Sequence, residues 1–266
     1  LAARLVPLIP EHRIYNEPWG GGASMLFAKP PSLVEVYNDL HSGLVGLFRV
    51  LRDPERFEEF HRLVSLTPFA REEYDYWREG WALAECPVER AFGFFIVAST
   101  SFSGAFGKSW GFTLNSSNGG MAGSVSRWLG RIRNLPEVAA RLLSVQVEHG
   151  HAFDVLRRYD TDDTFHYCDP PYVLSTRRAG GYEHEMTDAD HQELVELLLG
   201  LRGKVLVSGY QNPIYKRLEA AGWTRRDFEV TCAAAGRTRG TGLLGLGAAQ
   251  KQRRIESVWA NYPLPR

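Results

Sequence analysis

The stretch RIYNEPWGGGASMLFAK, residues 13–29, holds three kinds of chain in succession. Arg13 to Glu17 reads as a short strand, PWGGGAS as a glycine turn, and ASMLFAK as an apolar helix. Downstream, LVEVYND (residues 33–39) reads as a second strand that ends on a carboxylate. LHSGLVGLFRVLRDP (40–54) then sets Leu44, Leu47, Phe48 and Leu51 at helical spacing, with Pro54 expected to close the helix. Strand, loop, helix, strand, helix is the opening of a parallel sheet, so the expected fold class is α/β.

The alternation then stops. Residues 55–143 read as a mostly helical insertion, with EEYDYWREGWALAE (72–85) followed by the Gly/Ser-rich SFSGAFGKSWGFTLNSSNGGMAGS (101–124). Phe102, Phe106, Trp110 and Phe112 sit among those glycines, a pattern unsuited to plain core and expected to form an exposed loop. The α/β rhythm returns with a strand in LLSVQVEHG (142–150), a helix in AFDVLRRY (152–159) and a strand in DTFHYCDPPY (163–172). In EMTDADHQELVELLLGL (185–201), Thr187 and Asp190 have capping-box spacing, and Leu194, Leu197, Leu198 and Leu201 form one stripe. KVLVSGY (204–210) reads as a buried strand and NPIYKRLEAAG (212–222) as a helix stopped by Gly222. RRDFEVTC and RIESVWANY read as a closing antiparallel pair. The expected organisation is one domain from residues 1–54 and 144–266, interrupted by a second from 55–143.

With 44% hydrophobic and 23% charged residues, the 266-residue chain has ample material for a core. Cys86, Cys168 and Cys232 are far apart and form no CxxC, which argues for a reducing compartment and against structural zinc. The longest apolar run is too short to span a bilayer, and no secretory signal is visible. Formal net charge is zero, yet residues 101–147 hold five basic side chains against Glu137 alone. Residues 225–266 hold eight basic to three acidic. Two basic stretches on a neutral chain suggest a polarised surface able to track phosphates. Charge scattered over unrelated faces is the plainer alternative.

The glycine turn has neither GxGxxG spacing nor the Lys-Ser/Thr of a phosphate loop, which disfavours a nucleoside triphosphate. Three glycines between strand and helix do let a ligand approach the backbone. Asp39, at the end of the next strand, stands where a carboxylate would meet ribose hydroxyls, though it could equally cap the following helix. Together these features favour an adenosine-like ligand without phosphate, a description S-adenosylmethionine fits. YCDPPY (167–172) adds a carboxylate before two prolines. Prolines cannot donate to a central strand, so the strand stops there and becomes a stiff loop, either a simple turn or a rigid platform.

EPWGGGASMLFAK, VEVYNDLHSGLV, YCDPPY, KVLVSGYQNPIY and RIESVWANY, in this order, resemble the Dam-type DNA adenine-N6 methyltransferases, particularly phage and prophage members. The likeness runs from Leu5 to Tyr262. DPPY alone is moderately specific, since related tetrapeptides serve cytosine N4, RNA and glutamine amides; the ordered set is more so. The resemblance implies a Rossmann-like methyltransferase sheet with a reversed last strand, and makes the insertion a target-recognition domain. It implies S-adenosylmethionine as cofactor, no metal, duplex DNA as partner, and the cytoplasm of a bacterial or phage-infected cell. A monomer is compatible with it.

Residue by residue, the resemblance assigns Asp169, Pro170, Pro171 and Tyr172 to catalysis, with the Asp169 carboxylate and Pro170 carbonyl accepting from the adenine amine and Tyr172 stacking on the base. It assigns Glu17, Pro18, Trp19, Gly20, Gly21 and Gly22 to the methionine end of the cofactor, Asp39 to its ribose, and Asp169 to a position near the methyl. His151 stands where many relatives carry Asp; it and Ala152 are expected beside the cofactor adenine, although an ordinary surface histidine is an equal reading. Lys108, Arg127, Arg131 and Arg133 are expected at DNA phosphates or base edges, and Arg177 and Arg178 at the backbone of the flipped nucleotide. The glycine–lysine segment that usually opens the family is absent, as Leu1 begins within the first helix. Cytosine N4 or RNA adenine methylation is the nearest other chemistry. A DNA-binding module without turnover is the rival of another class.

Overall fold

The computed structural model describes residues 1–102, 105–114, 117–176, 184–231 and 253–265. Its sheet has seven strands. In chain order these are β1 (Ile14–Glu17), β2 (Val34–Asn38), β5 (Val145–Glu148), β6 (Thr164–Cys168), β7 (Lys204–Gly209), β8 (Thr224–Thr231) and β9 (Arg253–Ala260). A separate small hairpin supplies β3 (Ser117–Asn118) and β4 (Met121–Ala122). The strand order is β5-β2-β1-β6-β7-β9-β8, parallel from β5 to β7, with β9 running antiparallel between β7 and β8. The chain therefore turns outward in opposite directions from β1 and β6, which pair in parallel. A crevice at the carboxyl ends of such a pair is where open α/β sheets bind ligands.

All five residues of β6 are buried, as expected for a parallel sheet covered on both faces. Alternate residues divide between two cores: Phe165, Tyr167 and Leu206 face one, Cys168, Val205 and Val207 the other. The smaller core is filled by α8 (Ala152–Arg158), α9 (Asp188–Gly200) and α10 (Lys216–Ala220). The capping box of α9 forms as its sequence suggests, with the Asp190 backbone N–H donating to Thr187 Oγ1 (3.2 Å) and the Thr187 N–H to Asp190 Oδ2 (2.7 Å).

The larger core takes α1 (Ala2–Leu5), α2 (Ser24–Ala28) and α3 (Ser42–Leu51), together with the insertion. The insertion contributes α4 (Pro54–Leu66), α5 (Arg71–Gly80), α6 (Pro87–Thr100) and α7 (Gly123–Leu142). Pro54 does not close α3; that helix ends at Leu51, and Pro54 opens α4 behind an Asp53 cap. A first-turn proline costs no hydrogen bond, so the same residue that cannot continue one helix can start the next. Phe60, Tyr74, Phe94 and Trp128 of the insertion share one core with Tyr15 and Tyr37 of the sheet. Gly43 marks how close the approach is, since a Cβ there would lie 2.3 Å from Phe94 and 2.9 Å from Trp81.

A buried ionic cluster fixes the same junction. Glu35 of β2 accepts from Lys29, from Arg141 of α7 (Nη2, 2.6 Å) and from the Ser32 N–H (3.0 Å). Burial alone would raise the Glu35 pKa, but the bonds from Arg141 and Lys29 hold it below the usual carboxylate range. Glu35→Gln leaves Lys29 buried without its counter-charge and should cost about 3–5 kcal/mol in urea unfolding at pH 7. Because the folded pKa is depressed, the wild-type advantage should be complete above the unfolded value, about 4, and vanish as pH falls below it.

Candidate active site

A cavity of about 360 Å³ lies at the carboxyl ends of β1, β2 and β6. Its first wall is the glycine turn. Gly20 donates its N–H to the Asn38 carbonyl (2.8 Å), and a Cβ on it would fall 2.1 Å from the Tyr37 ring. Gly21 takes a φ of 49°, and its carbonyl accepts from the Tyr37 hydroxyl at 2.7 Å. Two of the three glycines thus answer to Tyr37 and to backbone shape, while Gly22 meets only open space. Asn38, which the sequence did not single out, ties the wall together. Its amide donates to the Pro18 carbonyl (2.8 Å) and the Gly150 carbonyl (3.0 Å), and its oxygen accepts from the Gly150 N–H (2.9 Å).

Three carboxylates stand at the three strand ends. Glu17 is buried, with Oε2 accepting from the Tyr15 hydroxyl (2.8 Å) and the Leu26 N–H (3.1 Å). Burial, reinforced by the charge of Asp169, raises its pKa to about 8 against the pull of those two donors. Asp39 accepts from the Gly21 N–H (2.8 Å) and the His41 N–H (2.7 Å). It does not cap α3; His41 does, through Nδ1 accepting from the Gly43 N–H (3.1 Å). Asp169 is half-buried and accepts from Ser208 Oγ at 2.6 Å. Burial raises its pKa, opposed by hydrogen bonds from Ser208 and Tyr172.

The expected residues Glu17 to Gly22, Asp39, His151, Ala152, Asp169 and Pro171 all line this cavity. Pro170 and Tyr172 do not; the Tyr172 ring meets Tyr210 edge-on at 4.8 Å, beside the carboxylate it bonds. His151 is exposed at the start of α8, its ring edge-on to Phe153 at 4.8 Å, and Phe153 in turn meets Trp19 at 6.0 Å. Other lining residues were not expected at the site: Leu40, His41 and Leu44 beyond β2, and His184, Glu185, Met186 and Asp190 ahead of and within α9, of which Leu44 and Asp190 read in sequence only as helix stripe and helix cap. His41 also belongs to the insertion's aromatic cluster, stacked on Trp81 at 5.7 Å and edge-on to Phe106 at 5.5 Å.

Among the described residues, five carboxylates (Glu17, Asp39, Asp169, Glu185, Asp190) line the cavity and no lysine or arginine does. Such a wall repels phosphate and favours a cationic ligand with donor groups. Among the described residues no group of histidines, cysteines and acids could hold a metal ion, and no helix is long and apolar enough to cross a membrane.

The expected DNA contacts lie elsewhere. Lys108 is exposed on the loop after α6; Arg127, Arg131 and Arg133 are exposed on α7. Arg127 and Arg131, one turn apart, line a second cavity, whereas Arg133, two residues further on, does not. Arg131 also donates to the Ser99 carbonyl. Arg177 and Arg178 lie outside the described residues.

Ser208→Ala removes a donor that favours the ionised form of Asp169. A carboxyl carbon-13 NMR titration should find the Asp169 midpoint moved upward in the variant; an unmoved midpoint would show that Ser208 does not tune it.

The family model for D12 class N6 adenine-specific DNA methyltransferases matches residues 1–227. No curated protein matches the chain significantly.

Proposed function

The chain belongs to the D12 class N6 adenine-specific DNA methyltransferases, and on that premise we propose that the first cavity holds S-adenosylmethionine while Asp169 and Pro170 position the amine of an adenine turned out of duplex DNA. Membership carries the activity itself, S-adenosylmethionine-dependent methylation of adenine N6 in DNA. The observation that carries the assignment of the cavity is its charge: five carboxylates, with no lysine or arginine among the described residues that line it, suit a ligand that bears a sulfonium and an ammonium and lacks phosphate. When bound, the cofactor supplies an electrophilic methyl group.

Glu17, sealed at the end of β1, is suited to the ammonium, and Asp39, held by two backbone N–H groups, to ribose hydroxyls. Trp19, Phe153 and Met186 give the apolar surface an adenine ring requires. The N6 amine of the substrate is a poor nucleophile because its lone pair is delocalised into the ring. Hydrogen bonds accepted by Asp169 and by the Pro170 carbonyl hold that nitrogen closer to tetrahedral and free the lone pair for attack. Preplaced acceptors of this kind need no covalent intermediate. A carboxylate has about four acceptor sites, so Asp169 keeps capacity beyond its bonds to Ser208 and Tyr172. Adenine in a duplex cannot reach this position, and flipping costs a few kcal/mol. Stacking on Tyr172 offsets roughly 1–3 kcal/mol of that.

The insertion, residues 55–143, is the part we assign to target recognition. Lys108 and Arg127 are exposed without acidic partners among the described residues, and Phe112 and Leu114 stand exposed beside them in sequence. Unpaired cations among exposed aromatics suit a polyanion with stackable bases. The recognition of one short DNA sequence follows from this reading.

Labelled S-adenosylmethionine incubated with unmethylated duplex DNA, followed by nucleoside mass spectrometry, should yield N6-methyladenine; long-read sequencing of the product then gives the methylated sequence. Asp169→Ala should lower methyl transfer by at least about 10²-fold while DNA binding persists. Loss of folding in that variant would make Asp169 structural.

Glu17 sets a pH dependence. Below pH 8 its carboxyl is mostly protonated, and ionising it to meet an ammonium releases that proton. Cofactor affinity should therefore rise with pH, by up to about tenfold per unit, and level off above 8. Calorimetry in buffers of different ionisation heat should record the proton release, and Glu17→Gln should abolish this component.

A further inference from the structure

The second cavity, also about 360 Å³, lies wholly within the insertion and has the opposite polarity to the first. Arg127 and Arg131 line it, and no acidic residue among the described ones does; Phe69, Phe102 and Phe112 form apolar walls, and Ser99 is among its hydroxyl-bearing residues. Elsewhere on this surface arginines are commonly matched to acids, as in Arg158–Glu148, Arg202–Asp162 and Arg217–Glu196. Arg127 and Arg131 have no acidic partner among the described residues, and like charges one helical turn apart repel. An anion between the two guanidinium groups would reverse that repulsion, and phosphate matches their planar forks.

The walls indicate more than a bare phosphate. Phe102 is 38% exposed and Phe112 48%, each with ring surface left for a partner. Phe112 stacks on Trp110 at an interplanar angle of 18°, and the Arg71 guanidinium lies 4.5 Å from the Trp110 ring centre. The same guanidinium lies 5.7 Å from the Phe112 ring centre, so the three groups form one cluster, and the exposed part of the Phe112 ring is left for a nucleobase to stack on. Its position also speaks to the source of the ligand. The loop closed by the Ser101–Trp110 bridge carries Phe102 at this cavity and Phe106 against His41 of the first, so one loop borders both.

We propose that the second cavity takes one nucleotide of the bound DNA other than the target adenine, with its phosphate on Arg127 and Arg131 and its base unstacked from the duplex onto Phe112. This rests on the DNA-methylating function stated above. The cavity would give the enzyme a second extrahelical contact, read by ring stacking and by serine hydroxyls.

The test uses the full chain with S-adenosylhomocysteine and duplexes that carry the methylated sequence, with 2-aminopurine walked through both strands. Wild-type protein should brighten the probe at the target adenine and at one further position. Phe112→Ala should remove the second signal, keep the first, and weaken binding by about 5- to 150-fold. Arg127→Gln should reduce the slope of log affinity against log salt by about 0.9, the share of one phosphate. Calorimetry with S-adenosylhomocysteine should find both variants unchanged in cofactor affinity, which verifies the fold. A single bright position, or a Phe112→Ala variant that binds DNA like wild type, would overturn the nucleotide pocket and leave methylation standing. Deoxynucleoside monophosphates that bind wild type as tightly as the duplex, in an Arg127-dependent way, would overturn DNA as the source. Wild-type protein that neither methylates nor binds the duplex would overturn the functional reading, and this inference with it.

Discussion

Glu17 is a carboxyl sealed at the end of a central strand with no arginine or lysine bonded to it among the described residues. Much of the first cavity follows from that carboxyl, which burial keeps mostly protonated below pH 8. Parallel strands place their carboxyl ends together, so acids at the ends of β1, β2 and β6 gather in one crevice, where the charge of Asp169 adds to burial in raising the proton affinity of Glu17. Folding supplies only neutral donors: the Tyr15 hydroxyl and the Leu26 N–H for Glu17, Ser208 for Asp169, two backbone N–H groups for Asp39. The cation is left for a ligand to bring. The acidic wall of this cavity contrasts with the arginine-lined cavity of the insertion, so the two differ in charge before they differ in shape.

The insertion interrupts the chain without interrupting the packing. Its helices bury Phe60, Tyr74, Phe94 and Trp128 in the core that also holds Tyr15 and Tyr37, and Arg141 reaches Glu35 on β2. Residues 55–143 consequently meet the sheet through side chains at close quarters, with Gly43 leaving no room for a Cβ. Whatever the insertion grips is held in fixed relation to the strand ends.

How much of this was legible in the sequence follows the range of the interactions. Local signals read well: strand and helix alternation on either side of the insertion, the Thr187 capping box, the stop at Gly222, and the break after β6 where Asp169 meets two prolines. The carboxylates at three strand ends were likewise visible, because strand ends are short-range features. Contacts across the fold were not. Gly20 is small because of the Tyr37 ring, Asn38 is buried because it clasps Pro18 and Gly150, and His184 to Met186 reach the cavity from a stretch with no motif of its own. Asp39 illustrates the ambiguity: cap and ligand contact look alike in sequence, and the bond that His41 Nδ1 accepts from the Gly43 N–H takes only the cap away from Asp39. The aromatic–glycine tract pointed to a special loop, but not to a cavity between α6 and α7, which exists only once both helices are in place.

His41 is one imidazole with two memberships. It lines the acidic cavity, and it is stacked on Trp81 and edge-on to Phe106 of the insertion. Side chains that share a partner do not contribute independently, so substitutions on either side of this ring should fail to add in a double-mutant cycle. For evolution the same sharing acts as a brake. A lineage that altered the loop around Phe106 would disturb the wall of the acidic cavity at the same step, and change on one side would have to wait for compensation on the other.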